Sequence, residues 1–241
     1  MGSETTWPRA ILLDFYGTVA EEDDVPIATI CDQIARASSQ SVTPREVGSY
    51  WGPVFREMCS NSHASAFRPQ KELERISLQE LLRHFDADLD GERLSQVLYE
   101  YWAYPALFPE SKDVIAQCNL PICLVSNIDD ADLRSALRHT GLSFDYVVTS
   151  DGCKAYKPRP EPFVKALSLL GLSDGEVLHV GDSLGSDVRG AKAQGIPVLW
   201  INRKNRSLPP DHERPDHVSA DLRGILDVLR MGSRGDAERG R

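Results

Sequence analysis

Three aspartates far apart in the chain, Asp14, Asp182 and Asp187, stand where apolar runs break into polar turns. Asp14 interrupts AILLDFYGT, and Asp182 closes VLHVGDS with Asp187 five residues further on. Ser126 and Asn127 close PICLVSN in the same way, and Lys157 follows FDYVVTS within the loop KAYKPRPEPF. Carboxylates brought together without compensation raise one another's pKa, so a shared divalent cation is the economical reason to gather them. With oxygen donors only, the expected ion is Mg²⁺, which takes one or two carboxylates plus water and substrate phosphate. A carboxylate that attacks a phosphoryl dianion meets repulsion. Mg²⁺ and Lys157 would neutralise it while Asp14 supplies the nucleophile.

Such a set works only if the backbone brings its members to one edge. The run at 10–18 reads as a buried parallel strand ending in a polar turn. From Val25 to Tyr104 helical spacing takes over, in IATICDQIAR, PREVGSYWGPVFREM, LERISLQELLRHF and ERLSQVLYEYW, with no strand among them. From Pro121 strands and helices alternate: PICLVSN, a helix over 129–139, FDYVVTS, a helix over 161–170, VLHVGDS, a helix over 187–194, then IPVLWIN. That alternation predicts an α/β fold, a parallel sheet wound with helices, and the first strand joins it if the four helices are an insertion. In such sheets the ligand crevice lies outside the carboxyl ends of the strands, where all the residues above sit. VSADLRGILDVLR reads as a closing helix, and MGSRGDAERGR as a frayed tail.

Composition narrows the function. The 241 residues suit one large domain or a core with a modest insertion. The 27 basic against 36 acidic residues leave a net charge of −9, the wrong sign for nucleic acid or an anionic membrane. No apolar run approaches the ~20 residues of a membrane helix, and the N-terminus carries no export pattern, so a cytoplasmic protein acting on a small molecule is expected. The five cysteines form no C-x-x-C pair and read as reduced thiols, and the six histidines have no zinc-ligand spacing.

Taken in order, DFYGTV at 14–19, Ser126–Asn127, Lys157 in KPRPEPF and GDSLGSD at 181–187 resemble the four landmarks of the haloacid dehalogenase-like superfamily. The resemblance implies a Rossmann-like, doubly wound core over 8–18 and 106–231, an inserted all-helical cap over 19–105, and tails at 1–7 and 232–241. It also implies roles: Asp14 the nucleophile, the Tyr16 carbonyl a metal ligand, Thr18 and Ser126 groups of the phosphate site beside Asn127, and Asp182 and Asp187 the metal anchors. One position departs from the pattern. Phosphatases of the family carry a second Asp two residues after the nucleophile, as acid and base, and this chain has Tyr16. A phenol with an ordinary pKa near 10 is a poor base at neutral pH. D-x-Y-G-T is similar to 2-haloacid dehalogenases, in which Asp attacks carbon and no metal is needed, whereas GDSLGSD keeps both phosphatase aspartates. The first expectation is Mg²⁺-dependent hydrolysis of a phosphorylated small molecule. Metal-independent dehalogenation and a catalytically weakened phospho-ligand or partner binder are the alternatives.

Plainer readings stand beside these. GDSLG is also a literal G-x-S-x-G, with Asp211 and His217 as the available partners of a serine nucleophile. YEYWAY at 99–104 suits packing between helices, the acidic run 21–24 a solvated loop, and His179 a satisfied core residue.

Overall fold

The computed structural model describes residues 7–239, with side chains to Met231. The calls on residues 1–6 of the expected N-terminal tail lie outside the described residues. Strand β1 (Ala10–Leu13) leads to four helices, α1 (Asp24–Ala37), α2 (Pro44–Asn61), α3 (Gln70–His84) and α4 (Gly91–Ala103). Then follow α5 (Ser111–Gln117), β2 (Ile122–Ser126), α6 (Asp130–Thr140), β3 (Tyr146–Thr149), α7 (Ser150–Cys153) and α8 (Pro160–Leu170). The chain continues through β4 (Val177–Gly181), α9 (Arg189–Ala193), β5 (Val198–Ile201), β6 (His217–Ser219) and α10 (Gly224–Arg239).

Among the described residues the sheet has six strands in the order β3-β2-β1-β4-β5-β6, every pairing parallel. β1, β4 and β5 are buried at every residue because helices cover both faces, which is why they read as unbroken apolar runs. After β3 the chain returns to the far side of β1. The strand order therefore reverses around β1, and the crevice at that switch point opens beyond the carboxyl ends of β2, β1 and β4.

The four-helix insertion packs through apolar faces at helical spacing: Ile30 and Ile34 on α1, Val47 and Trp51 on α2, Leu78 and Leu81 on α3, Leu94, Leu98 and Trp102 on α4. This apolar set is continuous with Ile11, Leu13 and Phe15 of the β1 segment, so cap and sheet share one core on that side. Thr43, Pro44 and Glu46 start α2 with a reciprocal capping box and a proline at the first turn.

Two local expectations need correction. The stretch 218–230 is not one helix: β6 pairs with β5 over 217–219 before α10 begins, and a three-residue edge strand with His217 and Ser219 half-buried has too little alternation to read. α10 also runs on to Arg239, through most of the expected tail. The helix expected over 187–194 is present as α9, and Asp187 itself lies in a turn of π-helix, Leu184–Val188, that leads into it.

Candidate active site

Asp14 leaves β1 with its backbone N–H on Val180 O of β4, so its side chain emerges at the switch point. Gly17, at φ +88, turns the chain immediately after it. A Cβ there would lie 2.6 Å from Asp182 Oδ1, so only glycine lets the two loops close on each other. Thr18 is fully buried and donates its hydroxyl to Asp14 Oδ2 at 3.1 Å. Ser126 is buried at the end of β2.

Lys157 reaches the same point from the loop after α7. Its ammonium sits 2.7 Å from each of Asp14 Oδ1, Asp187 Oδ1 and Val125 O, which uses all three of its donors. Asn127 fixes that loop from β2, accepting Lys157 N–H at 2.7 Å and donating to Lys157 O at 3.0 Å. Asn127 thus has a positioning contact that its place in the sequence does not disclose.

Asp187 is carried by the π-helical turn. Ser183 N–H donates to its Oδ2 at 3.0 Å, the Ser183 hydroxyl caps the turn through Ser186 N–H at 3.2 Å, and His179 Nε2 meets its Oδ1 at 3.0 Å. The wide turn moves Asp187 back over Gly181, as such bulges often do at functional sites. Ser183 is therefore a capping residue. The partners required for a serine nucleophile are engaged elsewhere, with His217 against Trp7 at 6.2 Å between ring centroids and Asp211 beside His212 at 3.4 Å.

Asp14, Asp182 and Asp187 offer ligand oxygens that all lie within 4.8 Å of one another. Their environments differ. Burial pushes Asp14 up, opposed by Lys157 and reinforced by Asp187. Burial would raise Asp187 too, but the Lys157 charge and the His179 contact outweigh it and hold that carboxylate well below the usual range. Asp182 is pushed well above it, first by burial and then by Asp14 and Asp187, with the Arg206 guanidinium 3.6 Å from Oδ2 opposing only in part. Burial works against the charge of Lys157, yet Asp14 and Asp187 hold it well above its ordinary pKa. Three carboxylates thus face one fully engaged ammonium, and Asp182 has the least compensation. A hard divalent cation fits that donor set.

The Tyr16 side chain is engaged with the cap. Its hydroxyl donates to Trp102 O at the end of α4, and burial, followed by Asp132, drives its pKa far above the usual phenol value. Around it the cap closes on the core through contacts the sequence did not reveal. Asp129 accepts Gln70 N–H at 2.7 Å and Lys71 N–H at 3.1 Å, Lys71 Nζ pairs with Asp132 at 2.6 Å, and Tyr156 donates to Arg68 O at 2.8 Å. The acidic run is not merely solvated: Asp23 accepts the Trp102 indole N–H at 3.0 Å, while Glu22 and Asp24 pair with Lys204. YEYWAY packs as expected, Trp102 against Tyr99 at 5.7 Å, with Tyr104 exposed.

Similar proteins carry both chemistries. The chain is 25% identical over 238 residues to the (S)-2-haloacid dehalogenase of Pseudomonas sp. strain YL, covering 96% of this chain and 98% of that one. It is 28% identical over 222 residues to the pyrophosphatase PpaX of Bacillus velezensis, covering 91% and 95%. The crystal structure of the L-2-haloacid dehalogenase RSc1362 superposes with a TM-score of 0.76 at 22% identity, over 92% of this chain and 99% of that one. A family model described as haloacid dehalogenase-like hydrolase matches residues 8–195. With the parallel sheet, the helical cap and the carboxylates at the switch point, that match makes the chain a member of the haloacid dehalogenase-like hydrolases.

Proposed function

We propose that the chain hydrolyses a small phosphorylated molecule with Mg²⁺, passing the phosphoryl group through Asp14, and that its natural leaving group departs without a proton. The observation that carries this reading is the gathering of Asp14, Asp182 and Asp187 within 4.8 Å of one another, with the one lysine there spent on Asp14, Asp187 and Val125 O. Mg²⁺ would be held by these carboxylates with the Tyr16 carbonyl, and when bound it would neutralise the charge that develops on the phosphoryl oxygens.

The chain's own groups do the rest. Lys157 opposes the burial that raises Asp14 and offsets its charge, and Thr18 orients it by bonding Oδ2. The free lone pair of Asp14 attacks phosphorus, the bond to the leaving oxygen breaks, and that oxygen departs with the electron pair. Ser126, on the same edge, serves the phosphate site. Water then attacks the aspartyl-phosphate and releases phosphate and the Asp14 carboxylate. Tyr16, spent on Trp102 and held protonated, cannot serve as the base of this second step. Acyl phosphates, aryl phosphates and phosphoanhydrides leave as weakly basic anions and suffer least. We take 8–18 with 106–231 as the catalytic core and 19–105 as the cap that encloses the reaction.

Turnover of acetyl phosphate and p-nitrophenyl phosphate with Mg²⁺, abolished by EDTA and by Asp14→Asn, is the expected result; activity that survives Asp14→Asn ends the proposal. Metal-independent dehalogenation is the second reading, favoured by Tyr16 in DFYGT. There Asp14 would attack carbon and halide would leave unprotonated, a reaction with no task for Asp182. Halide release from 2-chloropropionate in the presence of chelator would select it.

A further inference from the structure

His179 is fully buried in β4, in a strand otherwise made of Val, Leu, Val and Gly. Side chains alternate along a strand, so positions 179 and 181 share a face. Gly181 leaves that face open: a Cβ there would lie 2.3 Å from Asp187 Cγ. Through this gap the Asp187 carboxylate reaches down to His179 Nε2 at 3.0 Å.

No other polar contact holds the ring. Nδ1 has no hydrogen-bond partner, and Phe163 stands edge-on to the imidazole at 5.2 Å between centroids. A buried imidazole with one nitrogen unsatisfied is a poorer core residue than leucine or valine would be, so packing does not account for it. Its single bond does. That same Asp187 oxygen already accepts from the Lys157 ammonium at 2.7 Å, so it is an acceptor towards the ring as well, which assigns a proton to Nε2. Lys157 approaches the same Asp187 oxygen, but its ammonium is divided among Asp14, Asp187 and Val125 O and cannot orient Asp187 independently. Ser183 N–H fixes the other oxygen, leaving His179 to hold Oδ1 from the strand side.

We propose that His179 is a positioning residue whose Nε2–H holds the Asp187 carboxylate in the orientation the cation requires, an inference that rests on the Mg²⁺ reading above. Groups that bond a ligating side chain from behind commonly change metal affinity 10–100-fold when removed.

The test is calorimetric titration of Mg²⁺ into the full chain as wild type, His179→Leu and His179→Gln, together with ¹⁵N spectra of the wild-type ring. Leucine should weaken Mg²⁺ binding by about 10–100-fold. Glutamine, whose amide nitrogen falls near the ring Nε2, should restore most of the loss, and the spectra should show Nε2 protonated. Wild-type affinity in His179→Leu, no rescue by glutamine, or an Nε2 without a proton would each overturn the inference while leaving the Mg²⁺ reading intact. A wild type that binds no Mg²⁺ would remove both. Should His179→Leu fail to fold by circular dichroism, His179→Asn takes its place, since its donor is one bond too short.

Discussion

Tyr16 and Lys157 show how much a single side chain decides at this site. Lys157 bonds two carboxylates and a backbone carbonyl, so its charge is local and permanent, whereas the Tyr16 phenol is committed to the cap. A positioned acid–base group is typically worth 10²–10⁴ in rate. Tyr16→Asp should therefore raise turnover of alkyl phosphates by at least about tenfold while changing acetyl phosphate turnover little. Steady-state kinetics on the two substrate types checks this, and unchanged alkyl turnover means that another step limits the reaction. Tyr16→Phe should lower neither, because the hydroxyl acts on Trp102 and not on substrate. The cysteines give a second expectation at this scale. Burial pushes Cys59 and Cys123 up to about 12 and Cys31 to about 11, so almost no thiolate exists at pH 8. Activity should persist after iodoacetamide treatment of the native protein at that pH, and rapid inactivation would show that one of these thiols is exposed or activated.

At the scale of elements, one helix end of the cap is completed by the core. α3 has Pro69 at its N-cap and no side-chain cap of its own, and the Asp129 carboxylate supplies one from the loop after β2. Burial raises the pKa of Asp129, and the two amides it accepts oppose that. Losing an N-cap costs about 0.5–2 kcal/mol. Asp129→Ala should lose about that much in urea denaturation, with Asp129→Asn intermediate, and unaltered stability in both would show that the joint is held by other contacts. This joint also marks the limit of what the sequence discloses. The long helices of the cap and the alternating strands and helices were legible, because periods of 3.6 and 2 residues appear wherever a face is buried. Asp14, Ser126 and Asp182 stand out in the sequence because each ends an apolar run, with Asp187 five residues after Asp182 and Lys157 in the loop after FDYVVTS. β6 was hidden by its brevity, and the turn of π-helix by its being one residue wider than an ordinary helical turn. Asp129 on Gln70 and Lys71, Lys204 on Glu22 and Asp24, and His179 on Asp187 were hidden because a contact between distant segments leaves no periodic trace.

For the whole molecule, the gathered carboxylates make stability depend on pH and on the cation together. Asp182 titrates well above an ordinary aspartate in the folded chain, through burial and then through Asp14 and Asp187. Between the ordinary aspartate range and that raised value the folded state holds a proton the unfolded chain has lost, so this group's contribution to stability falls as pH rises through the window. Asp187 has the opposite sign: burial is outweighed by Lys157 and His179, its folded pKa is depressed, and its contribution is lost only as pH falls below the ordinary range. Above the ordinary aspartate range the raised Asp182, with Asp14 raised beside it, contributes less stability as pH rises, and Mg²⁺ would offset this by binding the ionised forms. A ligand at a hundred times its Kd adds about 2.7 kcal/mol, which in a chain of this size is about 5–10 °C in Tm. Thermal melts with and without Mg²⁺ should therefore separate more at pH 8 than at pH 5, and the separation should vanish in Asp182→Asn, which removes both the strained charge and a ligand. An Mg²⁺ shift independent of pH, or one that persists in Asp182→Asn, would mean that the ion binds elsewhere and that the three aspartates do not share it.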